Sequence, residues 1–275
     1  MSCDYAEGLS PYENKGEVGM PEIYDETDSV NKKARRLAAM IKESSYTVLH
    51  TGAGISTSSG IPDFRGPKGV WTLEKLGEKP SVNVSFDTAR PTYTHKAINK
   101  LVQLNYVNFV VNQNIDGLHL KAGTSTEVIA DMHGNVFIEQ CHKCRRKFIR
   151  ETSVPTVGLK FTGNKCPFFS GNSEKLRCRG KMKDTILDWE DELPNKELNN
   201  AVTNSKKAEL SICLGSSLQI LPCNEFPKLT KKNRGKLVIV NLQRTPLDKF
   251  ADLQIFGKVD EVMKIVNDEL NLDVS

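Results

Sequence analysis

The sequence predicts an α/β fold: a parallel, doubly wound sheet with a small metal-binding module inserted into it. Three observations carry this. Short apolar runs alternate with amphipathic stretches, the rhythm of strand–helix–strand units. One run, Tyr46-Thr47-Val48-Leu49-His50, leads directly into Thr51-Gly52-Ala53-Gly54-Ile55-Ser56, a glycine turn at a strand end. Residues 136–185 then break the rhythm with four cysteines, many cations and few apolar side chains.

In chain order, residues 1–27 hold Gly8, Pro11, Gly16, Gly19 and Pro21 without periodicity, and read as an extended arm that packs on the surface or stays mobile. Val30, Ala34, Leu37, Ala38 and Ile41 make one helical stripe, with Asp28 or Ser29 as the cap. After the strand over 46–50, the glycine turn aims backbone N–H groups and the next helix N-terminus at a pyrophosphate. Thr57 stands where the common dinucleotide fingerprint has its third glycine. Residues 66–93, rich in Gly, Pro, Lys and Ser, read as a long loop with short helical pieces. A helix over 94–104 and a strand over 107–111 follow, and the strand delivers Gln113 and Asn114 where open α/β sheets bind ligands. Beyond the insertion come a helix over 195–207 and strands over 210–214, 237–241 and 253–256. The last helix has Val259, Val262, Met263, Val266 and Leu270 on one face.

The 275 residues suffice for one large domain and a small module, and no run of about 18 apolar residues suggests a membrane span. The net charge of +4 is unevenly placed: from Cys141 to Lys183 there are twelve Lys/Arg and two Asp/Glu, a formal +10, which leaves −6 elsewhere. Such a concentration suggests an anionic partner, DNA or a nucleosome; a solvated basic surface is the plainer alternative. The opening Met1-Ser2-Cys3-Asp4-Tyr5 lacks a secretory pattern, so the seven cysteines are expected in a reducing compartment, as metal ligands or free thiols. Cys141-x₂-Cys144 with Cys166 and Cys178 suits one structural Zn²⁺, Cys178 being the least secure ligand. Four thiolates close the shell, so this metal does no chemistry. Cys213 reads as strand packing, and Cys3 and Cys223 have no partner by spacing.

Gly52-Ala53-Gly54-Ile55-Ser56, Gly60-Ile61-Pro62-Asp63-Phe64-Arg65, Gln113-Asn114-Ile115-Asp116, His133-Gly134, Gly215-Ser216-Ser217 and Asn241-Leu242-Gln243 occur in the order found in the sirtuins, which the chain resembles over roughly residues 30–270. The N-terminal arm, the wide second cysteine spacing and Asp188-Trp189-Glu190-Asp191 resemble the nuclear, chromatin-associated sirtuin-six type. The resemblance implies a Rossmann-like NAD-binding domain over 28–135 and 186–275, with the zinc-binding module over 136–185. It implies an NAD-dependent protein-lysine deacylase, a histone deacetylase that releases nicotinamide and O-acyl-ADP-ribose in the nucleus; the departure at Asp188-Trp189-Glu190 adds the expectation of a site roomy enough for long acyl chains. Protein mono-ADP-ribosyl transfer, and a non-enzymatic NAD-sensing DNA or nucleosome binder, are the alternatives.

The resemblance also assigns roles. His133 is the general base towards a ribose hydroxyl, Asp116 holds the nicotinamide carboxamide, and Asn114 holds a ribose hydroxyl or a water. Gly52, Ala53, Gly54, Thr57, Asp63, Gln113 and Arg65 serve the cofactor, with Phe64 and Trp71 shielding it. Gly215, Ser216, Ser217, Asn241, Leu242, Gln243 and Val259 complete the cofactor set. Asp188, Trp189 and Glu190 replace a Phe-Gly-Glu common among sirtuins, and are expected at the acyl-lysine, with Trp189 as a tunnel wall. Taken singly, these residues fit plainer roles: a turn end for His133, Asx turns for Asn114 and Asp116, a salt bridge for Arg65, and packing for Phe64, Trp71 and Trp189. His50, His95 and His119 belong to no motif and read as structural.

Overall fold

The computed structural model describes residues 8–80, 84–169 and 177–274; Cys3 and the start of the arm lie outside them. Helix α1 (Thr27–Glu43) precedes β1 (Thr47–Thr51), which ends in two 3₁₀ turns, Ala53–Ile55 and Thr57–Ser59. Then come α2 (Val70–Lys75), α3 (Tyr93–Gln103), β2 (Phe109–Asn112), α4 (Leu118–Lys121) and β3 (Ile129–Asp131). The insertion contributes β4 (Ile138–Cys141), β5 (Lys147–Ile149), β6 (Phe161–Lys165) and β7 (Lys181–Asp184). The chain closes with α5 (Asn195–Lys207), β8 (Leu210–Leu214), α6 (Phe226–Lys232), β9 (Lys236–Val240), β10 (Leu253–Ile255) and α7 (Val259–Glu269).

Six strands form one parallel sheet in the order β10-β9-β8-β1-β2-β3. Every residue of β1, β2 and β8 is buried, because helices cover both faces. On one face the stripes of α1, α3 and α7 pack with Leu49, Val110 and Ile212; on the other, Val48, Phe109 and Met132 meet Ala201 of α5 and Phe226 of α6. The strand order reverses between β1 and β8, and this switch point is where an open sheet leaves a crevice beyond its strand ends. There the two loops nearly touch: Gly54 N–H donates to Gly215 O at 2.8 Å, and a Cβ on Gly52 would stand 2.7 Å from the same oxygen. The second sheet, β5-β4-β7-β6, is antiparallel and belongs to the insertion.

The sequence reading needs two corrections, and of the two courses expected for the arm the structure shows the packed one. Helix α1 begins one residue before Asp28, and no side chain caps it. The glycine turn feeds 3₁₀ turns, with no helix N-terminus to face an anion. The arm lies across the sheet's ligand edge, tied to both parts of the molecule. Lys160 Nζ donates to Gly8 O at 3.0 Å, Ser10 Oγ to Asp188 at 2.7 Å, Arg65 Nε to Lys15 O at 2.8 Å, and Glu17 N–H to Gln219 at 2.8 Å. Short α6 and three-residue β3 carry too little pattern for periodicity to reveal them.

Candidate active site and metal centre

A cleft of about 820 Å³ opens at the switch point, lined by the N-terminal arm, by the turns after β1, β2, β3 and β8, and by the segment after β7. His133 enters it from the turn after β3. Gly134 makes that turn possible: its φ is +90°, and an added Cβ would lie 1.9 Å from Thr185 O. His133 Nδ1 lies 2.8 Å from Gln113 O. A carbonyl only accepts, so Nδ1 carries the proton and Nε2 keeps its lone pair. Desolvation lowers the imidazole pKa below its ordinary value, against a smaller upward pull from the Gln113 carbonyl. Cys223 Sγ sits 3.9 Å from Nε2, and burial pushes that thiol up to about 12.

Beside His133 lies a buried polar triangle. Ser56 Oγ donates to Asp116 Oδ2 at 2.7 Å, while Asn114 Nδ2 donates to Gly52 O at 3.0 Å and reaches Ser56 Oγ at 3.3 Å. Leu118 N–H donates to the other oxygen of Asp116 at 2.9 Å. Burial raises the Asp116 pKa, and the bonds from Ser56 and Leu118 pull it partly back. Gln113 Nε2 donates to Ser216 Oγ at 3.2 Å, joining the ends of β2 and β8.

Arg65 is mostly buried, with its guanidinium 4.5 Å above the Trp71 ring. Its Nη2 has no partner among the described residues, and burial lowers its pKa to about 10. An orphaned cationic donor facing a cleft fits an anionic group such as a phosphate. Asp63 turns inward to accept from Gly66 N–H at 2.7 Å, and burial raises its pKa. Phe64, Trp71 and Trp189 form a ring cluster in the cleft, with the two tryptophan centroids 5.4 Å apart.

Of the residues singled out in the sequence, Gly52, Ala53, Gly54, Asp63, Phe64, Arg65, Trp71, Gln113, Asn114, Asp116, His133, Gly215, Ser216, Ser217, Asn241, Gln243, Asp188 and Trp189 all line this cleft. Thr57, Leu242, Val259 and Glu190 do not. Thr57 Oγ1 faces Gly54 O at 3.3 Å, Leu242 O accepts from Ile23 N–H, Val259 packs in the core and Glu190 is exposed. Two groups escaped the sequence reading. Ser56 links Asn114 to Asp116, and its place inside the glycine motif was the available signal. Leu9, Tyr12, Asn14 and Gly16 line the cleft from the arm, where Tyr12 stacks on Trp189 at 5.4 Å and 22°. An aperiodic arm gives no sequence signal for that placement.

In the insertion, the sulfur atoms of Cys141, Cys144, Cys166 and Cys178 lie within 4.8 Å of one another. The Cys141–Cys178 and Cys144–Cys166 separations, 3.7 and 3.6 Å, match the edge of a tetrahedron with bonds of about 2.3 Å to zinc. The geometry therefore fits all four as ligands of one Zn²⁺, Cys178 included. Gly180 leaves room for them, since a Cβ there would fall 2.3 Å from Cys141 Sγ.

The Sir2 family model matches residues 80–222. NAD-dependent protein deacetylase Sirt6 of Drosophila melanogaster is 52% identical over all of this chain, which spans 86% of that protein. NAD-dependent protein deacetylase SRT1 of Oryza sativa subsp. indica is 48% identical, and the chain spans 56% of its length. A solved Sir2 complex with a p53 peptide and NAD⁺ superposes with a TM-score of 0.66 at 32% identity, covering 88% of this chain and all of that one. The chain belongs to the Sir2 family, the sirtuins. Within the family it resembles the Sirt6 type.

Proposed function

We propose that the chain is an NAD-dependent protein-lysine deacylase. The observation that carries this reading is the half-buried His133, its Nδ1–H held by Gln113 O and its basic Nε2 met only by the weak Cys223 thiol among the described residues, in the same cleft as Arg65, whose Nη2 has no partner among them. NAD, when bound, supplies a ribose from which nicotinamide can leave. Around it, the glycines of the β1 and β8 turns allow close backbone approach, and Arg65 Nη2 offers a donor to phosphate. Asp116 and Asn114 present polar atoms at the ribose and carboxamide. With NAD and an acyl-lysine bound, His133 Nε2 would take the proton of a ribose hydroxyl and so make that oxygen nucleophilic. Phe64, Trp71 and Trp189 exclude water and wall the acyl group, which favours long chains as well as acetyl.

The finer reading is a chromatin enzyme: histone tails as substrates, the basic zinc module on DNA or a nucleosome, and a nuclear location. The charge of that module supports it, as do the clusters Lys32-Lys33-Ala34-Arg35-Arg36 and Lys231-Lys232-Asn233-Arg234. The test is nicotinamide release from NAD with acetyl- and myristoyl-lysine histone peptides, using the wild type and His133→Tyr. Release that needs acyl-lysine and is lost in the variant is expected. Release that needs no acyl-lysine, with label from NAD retained on protein, would replace the reading with ADP-ribosyl transfer.

A further inference from the structure

The outer face of the antiparallel sheet carries chemistry that the cleft does not use. Phe161 on β6 stands directly opposite Lys183 on β7, and Lys165 stands opposite Lys181. Side chains two apart on a strand share a face, so Lys181 and Lys183 place all four on one side of the sheet. Between the two pairs β6 bulges at Gly163, whose φ is +91° and above which an added Cβ would meet nothing within 4 Å. The face is open there.

Phe161 is 49% exposed, yet it is not loose. His142 meets it edge-on at 5.7 Å and 87°, and His142 is itself braced by Lys181 N–H, which donates to its Nδ1 at 2.9 Å. The ammonium groups of Lys183 and Lys181 lie 4.9 and 5.6 Å from the ring centroid. The described ion pairs of the insertion are Lys147–Glu197 and Arg150–Glu139; none involves Lys165, Lys181 or Lys183. Like charges directly opposed across a sheet destabilise it, and an anion between them would remove that cost. A single exposed phenylalanine is ordinary. A braced ring among three cations without carboxylate partners among the described residues is a stacking platform with phosphate positions around it.

We propose that this face binds single-stranded nucleic acid, with one base on the Phe161 ring and neighbouring phosphates on Lys165, Lys181 and Lys183. The inference rests on the reading of the zinc module as a nucleic-acid surface and specifies its partner. A duplex would satisfy the lysines, but its bases are already stacked and offer no free π-face; an acidic peptide would likewise leave the ring unused. The lysines can swing from ring to phosphate without breaking an ion pair to any described residue. No residue of this face lines the catalytic cleft.

The test uses the zinc-loaded full chain and fluorescence anisotropy at several salt concentrations. The probes are labelled 20-mers of dT and U, a 20-base-pair duplex and polyglutamate. Wild type is expected to bind the single strands more tightly than the other two, whichever of dT and U is preferred. Phe161→Leu keeps the apolar bulk but not the ring, and is expected to weaken single-strand binding by about five- to 150-fold, the range for one lost stacked base. Phe161→Trp is expected to retain it. Lys181→Gln with Lys183→Gln is expected to lower the slope of log Kd against log salt by about 1.4, two single-strand phosphate contacts. Nicotinamide release with an acyl-lysine peptide is expected to stay at the wild-type rate in all of these variants. Unchanged single-strand affinity in Phe161→Leu would overturn the platform while leaving the module a nucleic-acid surface. Binding to polyglutamate alone would overturn both.

Discussion

At the level of single residues, the proposed chemistry turns on the proton of His133. The Gln113 carbonyl fixes which nitrogen carries it, and desolvation disfavours a second proton. The working form is the neutral one, and the folded pKa lies below the ordinary His value. Activity is therefore expected to be complete at neutral pH and to fall only as pH drops through a value under about 6.5. The acid limb of kcat/KM for acyl-peptide turnover measures this; a limb above 6.5 would mean that His133 is held by something other than burial and one carbonyl. The residues proposed for this work, which line the cleft, were legible as candidates because they cluster in short polar strings at strand ends. Val259 was assigned to the cofactor on resemblance, but its position on the apolar stripe of α7 turns it into the core. Arg65 was legible as a candidate, but only the packed structure shows its Nη2 unpaired.

Among elements, the turn after β3 shows how little freedom the site has. Gly134 has a left-handed φ of +90°, and the backbone of Thr185 fills the space where a side chain would begin. Gly134→Ala is expected to cost about 3 kcal/mol or more, because strain and overlap act together and the obstructing atoms are backbone. A urea midpoint within error of the wild type would show that the turn can rearrange. The long helices and central strands were readable because burial on one stripe, or on both faces of a sheet, imposes a period. The switch from an expected helix to 3₁₀ turns after β1 was not readable. It follows from the contact of Gly54 with Gly215, a loop 161 residues away in sequence.

For the whole molecule, the insertion depends on its four sulfurs. Its small core is Cys141, Cys166 and Met182, with Phe148 and Phe168 partly covered, too little apolar surface to hold a sheet of short strands unaided. Removing zinc with a chelator is expected to unfold the insertion, seen as a lower thermal midpoint and lost activity together. An unchanged midpoint would show that the metal is dispensable to the fold. The metal was legible from cysteine spacing, since ligand chemistry leaves a mark on sequence. The arm's course was not, because it is set by scattered bonds such as Ser10–Asp188 and Glu17–Gln219.

The chain has only two tryptophans, and both stand in the cleft with centroids 5.4 Å apart and ring planes at 60°. The intrinsic ultraviolet emission of the protein thus comes almost wholly from its ligand crevice, where the indoles can exchange excitation. Any occupant that shifts either ring, or any loosening of the arm's Tyr12 from Trp189, changes the colour and yield of that light. The unlabelled protein carries its own optical reporter at the place where its chemistry occurs.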